Sequence, residues 1–135
     1  MTRGRMLLTG LVVVVVILGL GYTWGASGRR TVQRTLDESR QQLDLAEARG
    51  AILDARVSLY NNNFGDASRR LEDAKDPLRA ARQRYQDAGE SRAAASLDAA
   101  LTHVEEAQRL AGRLDASANA RAGEALEAIR VATNR

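Results

Sequence analysis

The chain has 135 residues, with 20 Lys plus Arg against 17 Asp plus Glu, a formal net charge of +3, one His and no Cys. Without Cys there are no disulfides and no thiolate metal sites, and a lone His falls short of the ligand sets of zinc and di-iron bundle centres. The excess charge lies in residues 1–30, where Arg3, Arg5, Arg29 and Arg30 face no acid; the near-neutral remainder lacks the clustered positive field that tracks phosphates, so no nucleic-acid partner is expected.

Residues 1–6 read as a short basic tail and residues 7–27 as a transmembrane anchor. The run Leu7 to Trp24 holds eleven Leu, Val or Ile residues and no charge. Eighteen helical residues span about 27 Å, close to the thickness of a bilayer's hydrocarbon. Leu7, Leu11, Val14, Ile17 and Leu20 would lie in the span, with Tyr22 and Trp24 at the headgroup layer. Gly21 and Gly25 have the small-residue spacing of a helix contact within the membrane. Arg29, Arg30 and Arg34 would meet lipid phosphates, so the bilayer itself is an expected partner. The expected location is a bacterial inner (cytoplasmic) membrane, crossed once, with the amino terminus inside and the domain in the periplasm. Bacterial origin rests on a basic complement of nineteen Arg and one Lys and on the abundance of Ala. Cleavage after an export signal competes with the anchor, since Ala26-Ser27-Gly28 offers small residues there.

Residues 28–135 predict an all-α domain, a small extramembrane helical bundle, because Ala, Leu, Arg, Glu and Gln dominate and Pro occurs once. In the first helix Val32, Leu36, Leu43, Ala46, Gly50, Leu53, Val57 and Tyr60 follow three-four spacing, and Leu45, Ile52 and Leu59 make a second stripe beside it. Two apolar seams predict two packing neighbours. Asn61-Asn62-Asn63 ends that helix. A second begins near Phe64, with Ala67, Leu71 and Ala74 on one face. Asp76-Pro77 reads as a cap with Pro in the first turn, so a new helix or a kinked continuation is expected there, closing at Gly89. A further helix from about Glu90 carries Leu97, Ala100, Leu101, Val104, Ala107, Ala111 and Leu114. Asp115 to Asn119 is expected to turn into a last helix that buries Leu126 and Ile129, although only Gly112 interrupts the helical composition there.

Small Ala55, aromatic Phe64, Ala67, large Leu71 and Ala74 sit where a tetratricopeptide repeat places such residues. The stretch from Ala46 to Pro77 thus resembles the helical hairpin of that family. The repeat's early aromatic is replaced by Ala51, its closing Pro falls at Pro77, and the next similar helix follows after 26 residues and not 34. The resemblance implies protein binding.

No constellation of ionisable residues points to catalysis. His103 has no partner that completes a triad or metal site, and Glu105 and Glu106 read as a solvated face. No enzymatic activity, cofactor, metal or small-molecule substrate is expected. Arg69, Arg70, Arg79, Arg82 and Arg84 form a basic run that is either paired with neighbouring acids or a contact surface. Tyr60, Phe64 and Tyr85 are the aromatics outside the anchor, either core or partner-binding. The candidate partner surface is therefore Tyr60, Phe64, Arg69, Arg70, Arg82 and Tyr85. Two non-catalytic roles follow: an accessory structural subunit of a large respiratory, photosynthetic or transport membrane complex, its partners other proteins of that complex, or a membrane-anchored adaptor that recruits a soluble protein.

Overall fold

The structure is a computed structural model that describes residues 32–134. The chain divides into two compact units, 1–38 and 39–135. In the first, the described residues 32–38 are helical and exposed, Val32 and Leu36 included.

The described residues are all-α. Helix α1 covers residues 32–60, α2 runs Phe64–Asp87, α3 Ser91–Ala111 and α4 Ala118–Thr133. Within the second unit each helix touches two others. Ser58 Oγ donates to Asp66 at 2.6 Å and Asp44 pairs with Arg84 at 3.1 Å, joining α1 to α2. Arg82 pairs with Asp98 at 2.5 Å between α2 and α3, and His103 meets Glu124 at 3.2 Å between α3 and α4. The ring closes where Arg49 donates to Thr133 Oγ1 at 2.9 Å and Arg56 to Asn119 Oδ1 at 2.8 Å, tying α1 to α4. Short turns and these pairings give an up-down-up-down four-helix bundle.

The three turns use one device. Asn63 N–H donates to Ser58 O at 2.8 Å and Asn62 N–H to Leu59 O at 3.0 Å; the same six-to-one and five-to-two pair recurs at Glu90/Tyr85 and Gly89/Gln86, and at Asp115/Leu110 and Leu114/Ala111. This is the Schellman closure, which needs one left-handed residue. Asn62, Gly89 and Leu114 supply it, at φ 57°, 77° and 59°. The last turn covers residues 112–117 and so begins before the expected Asp115–Asn119, leaving Leu114 outside the helix it was expected to extend; Gly112 caps α3 and is itself right-handed.

The core is built on three-four spacing with large and small residues in turn. Residues 45, 48, 52, 55 and 59 of α1 read Leu, Ala, Ile, Ala, Leu, and residues 67, 71, 74, 78, 81 and 85 of α2 read Ala, Leu, Ala, Leu, Ala, Tyr, all buried. Thirteen of the 22 buried apolar residues are Ala, and small residues at a helix contact favour close approach of the axes. A smaller cluster of Leu59, Ala67, Ala111 and Ala118, with Phe64 and Leu110 against it, seals the end where the first and third turns lie.

Of the two alternatives at Asp76-Pro77, a continuation is found and not a new helix: α2 passes through Pro77, which is itself buried. A proline inside a helix removes a hydrogen bond and costs about 3 kcal/mol, but the core register of α2 continues unbroken from Ala74 to Leu78 and Ala81, and burial of both halves outweighs the loss. The single-pass inner-membrane placement is not supported. Among the described residues no helix is long and apolar enough to cross a membrane. Each carries charges along its whole length, as α3 does with Arg92, Asp98, Glu105, Glu106 and Arg109, and such residues are costly inside a bilayer. The expected span from Leu7 to Trp24 and the pair Gly21 and Gly25 lie outside the described residues.

Candidate protein-docking face

Helix α1 carries its two seams on nearly opposite sides. At 100° per residue the centres of the Leu45–Ile52–Leu59 stripe and the Leu43–Leu53–Val57 stripe are about 140° apart, so the second stripe is not beside the first. A helix on the rim of a four-helix bundle can turn only one of them inward. Leu45, Ala48, Ile52, Ala55 and Leu59 are at most 6% exposed, whereas Leu43 is 67%, Leu53 50%, Val57 61% and Tyr60 84% exposed. Ala46 and Gly50 lie between them and are exposed as well.

This outer seam is unlike the rest of the second unit's surface, where the other exposed large apolar residues described are the isolated Leu114 and Val131. Scattered surface apolar residues are ordinary; a continuous row along one helix marks an interaction surface. Its flanks are charged. Glu47 and Asp54 run along one side, exposed, and Arg49 and Arg56 along the other, each anchored to α4 by the bonds to Thr133 and Asn119.

The six residues expected to form a partner surface do not form one together. Tyr60 is exposed and lies at the end of the outer seam. Phe64 is half-buried against the Leu59 cluster, and Tyr85 is 3% exposed in the main core, so the structure removes it from the surface. Arg69 and Arg70 lie on α2 near Asp66, at 3.2 and 3.8 Å, and Arg82 is held by Asp98 of α3. The basic run is therefore largely paired, Arg79 with Asp76 at 3.0 Å included. Leu43, Leu53 and Val57 were recognisable as a seam by their spacing; what spacing cannot tell is which of two seams faces the core.

Electrostatics elsewhere is that of a solvated surface. Asp66 sits below the usual carboxylate range, chiefly because Ser58 donates to it and then because Arg70 and Arg69 stand near. Glu72 is lowered first by its hydrogen bond from Lys75 and next by that from Gln108. His103 packs beside Glu124 and not in a cavity. Among the described residues no group of three or more His, Asp or Glu could hold a metal ion, and a shallow open depression beside the α2–α3 turn is lined by Gln86, Gly89, Ser91, Ala94, Ala95 and Asp98, of which only Asp98 is charged. Comparison with family models, with curated proteins and with solved structures finds no match for this chain.

Proposed function

We propose that the bundle is a non-catalytic docking module that presents the outer seam of α1 to another helix. The observation that carries this reading is the row Leu43, Leu53, Val57 and Tyr60, held open to solvent on a helix whose opposite face is fully packed. An apolar stripe at positions i, i+3, i+7 and onward is the pattern by which helices recognise helices. The resemblance of residues 46–77 to a repeat hairpin points the same way, toward protein binding. Of the two expected roles, binding of a protein partner draws more support than membership of a membrane complex, because the seam is a preformed surface.

A photo-reactive amino acid placed at residue 53 of the 135-residue chain in its native cells tests the reading. It is expected to cross-link to polypeptide, while the same probe at Asp73, on the exposed side of α2, is not. Absence of any protein adduct at residue 53 overturns the docking role.

A further inference from the structure

We infer that the occupant of this face is a second copy of the chain, with the two α1 helices parallel and in register along residues 43–60; this rests on the docking reading above.

The seam has the register of a two-stranded coiled coil. Leu43, Gly50 and Val57 fall at a positions and Ala46, Leu53 and Tyr60 at d positions, with no break in the three-four alternation. Orientation follows from the flanks. The e positions hold Glu47 and Asp54 and the g positions Gln42, Arg49 and Arg56. In a parallel pair each g residue meets the e residue five places on in the other copy. Arg49 then meets Asp54 as an opposite-charge pair, Gln42 can donate to Glu47, and no like charges meet. In an antiparallel pair g meets g and e meets e, which sets Arg49 and Arg56 against each other and Glu47 against Asp54. Like charges at such positions select against that arrangement. Arg49 is available for the contact, since one nitrogen reaches Thr133 while a guanidinium has five N–H donors. Glu47 and Asp54 have no side-chain partner among the described residues.

The area suffices. Four large side chains between half and five-sixths exposed, with Ala46 and Gly50, offer roughly 500 Å² per copy, or about 1,000 Å² for the pair, the floor for a specific interface. At Gly50 a Cβ would meet nothing within 4 Å, so the middle of the seam is open to a second backbone.

The chain has no native Cys, which makes single-Cys variants unambiguous. In a parallel pair, equal positions lie opposite each other within the 4.4–6.8 Å Cα separation that a disulfide needs. Leu53→Cys and Tyr60→Cys are each expected to give a covalent dimer under mild oxidation, and Val131→Cys on α4 is not. A mixture of Leu43→Cys and Tyr60→Cys chains is expected to give no 43–60 linkage. Sedimentation at about 100 µM, well above the micromolar dissociation expected of an interface this small, should return twice the chain mass, and Leu53→Glu should halve it with the helical circular dichroism unchanged. A single-chain mass for the unaltered protein, or linkage confined to the 43–60 mixture, overturns the parallel dimer. If the mass is that of one chain and the probe at residue 53 still captures a different polypeptide, the second copy is ruled out while the docking role stands.

Discussion

Arg56 and Asn119 hold each other reciprocally: Arg56 Nε donates to Asn119 Oδ1 at 2.8 Å, and Asn119 Nδ2 returns a bond to the Arg56 carbonyl at 3.4 Å. The pair joins the first helix to the start of the last and is half-buried, so its loss strands a guanidinium N–H. Asn119→Ala is expected to lower unfolding stability by about 1–2 kcal/mol. A shift in urea midpoint with an unchanged slope would show it, and an unchanged midpoint would mean the contact adds nothing.

Leu114 is the one residue among the three turn closures that is ill suited to its backbone. It sits at φ 59° and is 70% exposed, so its side chain contributes little to offset the left-handed strain. Leu114→Gly should stabilise the bundle by about 0.5–1 kcal/mol, and Gly89→Ala, at φ 77°, should destabilise it by a similar amount. Thermal unfolding of both variants checks the opposite signs together.

Gly50 lies inside α1 with open space where a Cβ would go. Gly50→Ala is therefore expected to raise stability by about 0.5–1 kcal/mol through helix propensity alone. Calorimetry on dilute samples, where association is weak, isolates that effect.

Ile129 and Val131 stand two residues apart on α4 with opposite surroundings, Ile129 fully buried and Val131 52% exposed. Ile129→Ala is expected to cost about 2–5 kcal/mol through lost burial and the cavity left behind, and Val131→Ala to stay within about 0.5 kcal/mol of the parent. Denaturant titrations of both decide whether α4 faces the core as described.

Asp66, Glu72, Asp115 and Glu127 all titrate below the usual carboxylate range, each through a donor held by the fold: Ser58, Lys75, Ser117 and Arg130 respectively. A carboxyl whose folded value is depressed adds stability above its unfolded value and loses it as pH falls through the folded one. The urea midpoint should be level from about pH 7 to 5 and decline below about pH 4. The decline should shrink in high salt, because Glu72, Asp115 and Glu127 are exposed. A midpoint that rises on acidification would contradict the assignment.

Much of the bundle was readable from spacing. The Asn61–Asn63 turn, the start of α2 at Phe64 and the return of the last helix to bury Ile129 follow from turn chemistry and three-four periodicity. Leu126, expected inside with it, is only half-buried. Pro77 left two readings open because its local preference for a first helical turn competes with the core register, which runs through it from Ala67 to Tyr85. The placing of Tyr85 was open for a related reason: an aromatic at helical spacing says which face it is on but not whether that face is covered. The docking face was half legible. Both seams of α1 were visible, but which is buried depends on where α2 and α4 lie, and that is fixed by contacts such as Asp44 to Arg84 and Arg49 to Thr133, far apart in sequence.

The alternation of Ala with large residues in the core also sets how folding entropy is distributed. An alanine has no rotamers to lose, so more than half of the buried apolar positions are ordered at no side-chain entropic cost, and helix docking freezes mainly the few large residues between them. The native packing is correspondingly specified by the nine larger ones, the most deeply buried of which are Ile52, Leu71, Leu78, Leu97, Val104 and Ile129.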